Sequence, residues 1–367
     1  MSLSIVTVCM NRRQHLLVTA PQVAAWPNHG EHLIVDWSSR QPLRRQELPA
    51  DPRLRLLRVE GEARWNLCRA YNFAVSRAAG DWILKLDADT WPTEAWRTKV
   101  WPTEAWPKPG GGGRDWVDEV WGLPPPPPSS SRERVTEGAA EAPGYAFGCG
   151  PEGRKGQFLM SRQLFAAVGG FNEHLIGYGF DDKDLQARLA LQTGQGAATL
   201  PAAWIGVIAH SDAERAGQGR SGRLNALEAS RALAAMRASR LSNRLLAAHC
   251  PWSGRVAGSE YRELSSGVWQ VEAASLPQLS AEVADEIDHV RRMSFWGCFL
   301  AIPEVFLAEL PLKLVPPSHR GYWEVRWWHR LWWHSGRRLM HLPVGLLSLC
   351  RGRMQALRAA ISPGRRR

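Results

Sequence analysis

Asp81-Trp-Ile-Leu-Lys-Leu-Asp87-Ala-Asp89-Thr90 is an apolar run that ends in two carboxylates one residue apart. Trp82 to Leu86 reads as a β-strand. Alternate residues of an extended chain share a face, so Asp87 and Asp89 are expected to point the same way at the strand's carboxyl end. Ligands of open α/β sheets bind at that end. A hard divalent cation takes carboxylate oxygens and completes its shell with substrate phosphates, so one or two aspartates suffice to hold a metal nucleotide. Acidic residues also simply start turns, and the triplet alone does not separate the two readings.

Upstream, strand and helix signals alternate. Leu3 to Val8 is apolar, His32 to Val35 is a short strand ending at Asp36, and Leu54 to Val59 is a third candidate. Leu67, Tyr71, Ala74, Val75 and Ala78 recur at helical spacing between Trp65 and Ala79. That order predicts an α/β fold with a parallel sheet. Downstream, a helix is expected from Ser161, another after Asp181, and a strand from Ala203 to Ala209 running into His210. Beyond Ser221 the pattern is mostly helical, with Leu279, Val283, Ile287 and Val290 forming one apolar stripe.

Trp91-Pro-Thr-Glu-Ala-Trp96 is repeated as Trp101 to Trp106, and runs of Gly110–Gly113, Pro124–Pro128 and Ser129–Ser131 follow. Such composition packs no core, so residues 92–143 read as a low-complexity insertion. The expected units are therefore an α/β domain over 1–230, a helical extension over 231–322 and a basic tail over 323–367.

The 367 residues are 44% hydrophobic and 22% charged, which excludes wholesale disorder. Six scattered cysteines without a C-x-x-C pair exclude a zinc ribbon or a dense disulfide scaffold and fit a cytoplasmic protein. The opening segment reads as a first strand, and no apolar run is long enough to span a bilayer. Residues 318–367 hold eleven Arg against one acidic residue, Glu324, so most of the net charge of +11 lies there. With Trp323, Trp327, Trp328, Trp332 and Trp333 interleaved, this tail suits an anionic membrane surface, or it packs its tryptophans on the domain and solvates only the arginines. It carries no nucleic-acid module, and no nucleic-acid partner is expected.

Two further sites carry chemistry. Gly177-Tyr-Gly-Phe-Asp181-Asp182-Lys-Asp184 places three carboxylates at a helix N-terminus. Dipole and capping preferences alone explain acidic residues there, whereas the flanking glycines suit close approach of an acceptor, with a carboxylate as general base. His210 follows a strand and is either structural or a metal ligand.

In this order the sites resemble a GT-A fold glycosyltransferase. Ser4–Arg13 (SIVTVCMNRR) and Arg69–Thr90 are similar to family 2 enzymes, and Gly169–Leu189 to the β-1,4-galactosyltransferase signature. The resemblance implies a Rossmann-like mixed sheet and transfer of a sugar, with inversion, from a nucleotide-diphosphate sugar (a UDP-sugar above all) to a hydroxyl of a glycan or other acceptor. It implies Mn2+ or Mg2+ on Asp87, Asp89 and His210, with Asp182 as catalytic base beside Asp181. Thr7, Cys9, Arg12, Asp36, Arg69, Asn72 and Asp87 would line the donor site. On a helical count Arg69 and Asn72 instead face solvent, opposite the apolar stripe. The competing classes are a non-catalytic binding protein on the same fold and a sugar nucleotidyltransferase, which releases pyrophosphate.

Overall fold

The computed structural model describes residues 2–97, 144–150, 153–209, 226–299 and the single position 350. Most of the insertion, His210 and the basic tail lie outside the described residues.

The chain opens β1 (Leu3–Cys9), α1 (Arg13–Ala25), β2 (Glu31–Trp37), β3 (Leu54–Glu60), α2 (Leu67–Arg77) and β4 (Trp82–Lys85). Strands β1 and β2 are buried along their whole length, as parallel strands covered on both faces must be. Helix α2 is capped by Asn66, whose side chain accepts from Arg69 N at 3.0 Å. Its apolar stripe packs on the sheet with Tyr71 and Phe73 fully covered.

After β4 come β5 (Thr90–Pro92), α3 (Glu94–Arg97), β6 (Tyr145–Gly148), β7 (Phe158–Ser161), α4 (Arg162–Ala167), α5 (Asp181–Thr193), β8 (Ala198–Leu200) and β9 (Ile205–Val207). With β10 (Glu260–Ser265) and β11 (Val268–Ala273) from further along the chain, the main sheet of the described residues has nine strands in the order β10-β11-β3-β2-β1-β4-β7-β6-β8, parallel through β11, β3, β2, β1 and β4 and antiparallel at β7. This is the mixed Rossmann-like α/β sheet expected of a GT-A fold.

Two expectations change. The insertion does not begin at Pro92, because the first copy of the repeat is packed. Trp96 is buried, stacked on Trp204 at 5.2 Å and tilted against Trp26 at 5.5 Å, and Thr93 N donates to Trp204 O at 2.9 Å. The region beyond residue 230 is also not purely helical. Between α6 (Ala226–His249) and α7 (Ala281–Phe299) lies a hairpin, β10 (Glu260–Ser265) and β11 (Val268–Ala273), and β11 pairs parallel with β3. Tyr261 and Trp269 of that hairpin close on Phe73 at 4.8 and 5.7 Å, which draws it onto the sheet. The apolar stripe of α7 behaves as expected, with Ile287 and Val290 buried in the same core. Among the described residues, no helix is long and apolar enough to cross a membrane.

Candidate active site

Strand β4 runs between β1 and β7, with Lys85 opposite Val6 on one side and Phe158 on the other. One residue on, Leu86 N still bonds Val6 O at 3.0 Å, and then the chain turns. Thr90 returns both its N–H and its hydroxyl to Asp87 O at 3.0 Å. Asp87 and Asp89 therefore sit in a turn, not on one extended face, which corrects the strand geometry expected from the sequence.

The turn separates their roles. Asp87 Oδ1 accepts from Tyr71 OH at 2.9 Å and from Lys85 Nζ at 2.8 Å, and Oδ2 accepts from Gln157 Nε2 at 2.7 Å. Gln157 Oε1 in turn accepts from Asp87 N at 2.9 Å. Burial opposes the charge on Asp87, but Lys85, Gln157 and Tyr71 outweigh it and hold the carboxyl below its usual range. Asp89 is fixed through its backbone, whose carbonyl accepts from Ile208 N at 2.8 Å. That bond extends the pairing of β5 with β9 and ties the strand leading to His210 onto the turn.

Lys85 is only 1% exposed. Its ammonium also donates to Gly156 O at 2.8 Å and lies 4.5 Å from the Tyr71 ring centre, a cation on an aromatic face. Lys85, Gln157 and Tyr71 are site residues that the motifs did not reveal. The one visible signal is a lysine set inside an apolar strand.

Helix α5 brings the second set of carboxylates. Its N-cap, Phe180, has a positive φ of 80° and offers no capping side chain. Asp184 is buried against Arg188, with two contacts of 2.9 and 2.8 Å, and Arg188 also donates to the carbonyls of Val168 and Gly170 at 2.6 and 2.7 Å. This carboxylate is structural. Asp182 differs in having no guanidinium paired to it among the described residues; its buried Oδ1, like Asp184 Oδ1, finds no hydrogen-bond partner there. Burial, then the charge of Asp181, push Asp182 up to about 8, with Asp87 adding to the shift and Lys85 opposing it. Asp181 is also raised, chiefly by burial. A side chain begun at Gly156 would meet Asp182 Oδ2 at 3.3 Å and Lys85 Nζ at 3.7 Å, so the end of β4 and the start of α5 converge there. A carboxylate that titrates near neutral pH without a fixed partner is suited to take a proton from a hydroxyl.

The remaining expected residues lie elsewhere or are engaged. Thr7 Oγ1 is 3.2 Å from His32 Nε2 on the neighbouring strand. Burial pushes the Cys9 thiol up to about 12, so it stays protonated. Arg12 Nη1 is 3.0 Å from His15 Nδ1. Asp36 accepts from Ser39 N at 3.1 Å, Leu43 N at 3.0 Å and Arg58 Nη1 at 2.6 Å, so its carboxylate shapes the loop after β2. Arg69 pairs with Glu62. Asn72 is half-buried and engaged: it exchanges hydrogen bonds with Phe171 O and N at 2.9 and 2.8 Å and donates to Glu173 at 2.9 Å, fastening the segment before α5 to α2.

Among the described residues, no three His, Cys, Asp or Glu side chains could together hold a metal ion. A closed protein cage is therefore absent there. The donor set is compatible instead with a hard cation carried by one or two carboxylates and the phosphates of its substrate, Asp87 being already committed to Lys85, Gln157 and Tyr71.

Residues 4–105 match the family described as glycosyl transferase family 2, and residues 150–208 match the one described as the N-terminal domain of galactosyltransferase. Over these two segments the chain is similar to glycosyltransferases of family 2 and of the galactosyltransferase type. The first match contains the Asp87–Asp89 turn and the second contains Asp181 and Asp182, so the two halves of the candidate site fall one in each. No curated protein matches this chain. Among solved structures it resembles glucosyl-3-phosphoglycerate synthase from Mycobacterium tuberculosis in complex with Mn2+, uridine diphosphate and glucosyl-3-phosphoglycerate, at 12% identity over 76% of this chain and 88% of that one, with a TM-score of 0.39. The catalytic domain of Drosophila β1,4-galactosyltransferase 7 in complex with xylobiose is 12% identical over 78% and 98% of the two chains, with a TM-score of 0.37. A mannosyltransferase from Pyrobaculum calidifontis, in complex with GDP-Man and Mn2+, is 13% identical over 99% and 76%, with a TM-score of 0.36.

Proposed function

We propose that this glycosyltransferase moves a sugar from a nucleotide-diphosphate sugar, a UDP-sugar by preference, onto a hydroxyl of a glycan or other acceptor, with inversion. The observation that carries the reading is Asp182, a carboxylate with a buried, unpartnered oxygen and a pKa pushed up to about 8, set near the end of the strand that leads into the Asp87–Asp89 turn.

In the proposed step the acceptor hydroxyl gives its proton to Asp182 as its oxygen bonds to the anomeric carbon. The bond from that carbon to the diphosphate oxygen breaks, and the nucleoside diphosphate leaves with the electron pair. Asp181 helps to keep the Asp182 proton affinity high. Lys85, Tyr71 and Gln157 keep Asp87, and with it the turn, in place. A bound Mn2+ or Mg2+, held by Asp89 with Asp87 behind it and His210 nearby in sequence order, would supply charge neutralisation at the departing diphosphate. The arginine- and tryptophan-rich tail supports peripheral contact with an anionic, cytoplasmic membrane face, which liposome flotation with and without residues 318–367 tests.

The deciding experiment incubates the protein with a panel of UDP- and GDP-sugars, Mn2+ and candidate acceptors. Release of nucleoside diphosphate is the expected result. Release of pyrophosphate would mark a nucleotidyltransferase, and no release would leave a binding protein on the same fold.

A further inference from the structure

The loop between Ile176 and Phe180 is held from outside by two side chains of α6. Ser239 Oγ accepts from Tyr178 N at 2.7 Å and lies 2.8 Å from Tyr178 O. Asn243 accepts from Ile176 N at 3.2 Å and donates to Gly179 O at 2.9 Å. The two residues stand about one helical turn apart. Between them Ser242 donates to Ser239 O at 2.9 Å and lies 3.3 Å from Arg291 Nε of α7. All three polar side chains are buried. Burying them costs free energy unless partners are found, and the loop backbone supplies the partners of Ser239 and Asn243.

The same contact explains the glycines of the loop. A Cβ on Gly177, whose φ is +80°, would lie 2.8 Å from Ser239 Cβ, and one on Gly179, at φ +86°, would lie 3.3 Å from Arg240 Cβ. Phe180 also has a positive φ, a strained choice for an aromatic residue. A segment with this backbone does not hold itself, and it leads directly into Asp181 and Asp182.

We infer that Ser239 and Asn243 are positioning residues for glycosyl transfer, holding the loop so that Asp182 and the exposed side chains of Ile176 and Tyr178 keep their places on the acceptor side. This makes α6 part of the catalytic unit and not a separate appendage, and it rests on the transferase reading above.

The test uses Ser239→Ala and Asn243→Ala, singly and together in the full chain, with UDP- and GDP-sugars and Mn2+ as probes and water as acceptor. Each single variant keeps the other anchor, so the fold is retained. The kcat for nucleoside diphosphate release should fall about tenfold in each single variant and further in the double, as small displacements of catalytic groups do, while donor KM stays within about twofold. Loss of folded protein alone would not lower kcat per active site in this way. Gly177→Ala, with α6 intact, should give the same split. An unchanged kcat in the double variant, or kcat and KM moving together, would overturn the inference alone. A wild-type protein that releases no nucleoside diphosphate from any donor would remove the transferase reading and this inference with it.

Discussion

Lys85 Nζ donates to Asp87 Oδ1 at 2.8 Å, so the carboxylate that opens the turn after β4 is paired with a cation two residues back, at the strand's last position. The ammonium is almost wholly buried, and its other contacts are a carbonyl and a ring face. Breaking a buried pair leaves the surviving charge without compensation, a loss of about 3–5 kcal/mol. Lys85→Met should lose stability on that scale in urea unfolding. Combining it with Asp87→Asn should recover part of the loss, because the orphaned charge is then gone. Strict additivity of the two changes would show that the pair is not coupled.

The raised proton affinity of Asp182 makes a signed prediction for activity. The group acts as a base only when ionised, so turnover should rise with pH up to about 8 and level off above it. Asp182→Asn should cut turnover by about 10²–10⁴-fold, the usual contribution of a positioned base. A pH–rate profile with no limb between neutral pH and 8 would assign the base elsewhere.

Stability should respond with the opposite sign. A carboxyl whose folded value lies above its unfolded value binds more protons when folded, so ionising it disfavours the fold. That penalty is absent below the ordinary carboxylate range, grows as pH rises, and is complete above about 8. Asp182→Asn should therefore raise the unfolding midpoint at pH 8 relative to wild type and leave it nearly unchanged at pH 4. Midpoints measured at the two pH values check this, and equal shifts at both would refute it.

How much of this was legible in the sequence depended on distance along the chain. The strand ending at Lys85, the helix starting at Asp181 and the strand leading toward His210 are written in local periodicity and composition. The cradle of Asp87 was not, because Gln157 lies 70 residues away and contributes through a side-chain amide that no local pattern marks. Asn72 fell between two readings, donor site and solvent, since a helical count shows which face a residue is on but not what packs there. Its true partners, Phe171 and Glu173, are about a hundred residues on. The β10–β11 hairpin escaped notice because β10 is mostly exposed and β11 only half-buried, with Tyr261 and Trp269 packed against the core beside the pairing of β11 with β3. Trp96 shows the opposite case: repetition suggested low complexity, yet the first copy is a packing element. Trp96→Ala should cost about 3–5 kcal/mol in unfolding, as truncation of a buried tryptophan does.

Asp184 and Asp182 share one helical turn but differ in what surrounds them, which separates two kinds of loss. Asp184→Ala leaves Arg188 buried without its counter-charge and should destabilise the chain by about 3–5 kcal/mol. The damage would show in the unfolding midpoint before it showed in kcat.

The two aspartates of the turn should separate in the same manner. Asp87 carries the hydrogen bonds of Tyr71, Lys85 and Gln157, so Asp87→Ala strands three buried donors and should lower the melting temperature whether or not metal is present. Asp89 is anchored through its backbone carbonyl, which Asp89→Asn retains along with the bond from Ile208. That variant should lose the stabilisation that Mn2+ with a nucleoside diphosphate is expected to give the wild-type protein, a gain of about 2.7 kcal/mol at a hundredfold excess over Kd. Melting curves with and without Mn2+ and UDP, run on both variants, distinguish the roles. Retained ligand stabilisation in Asp89→Asn would move the metal away from the turn.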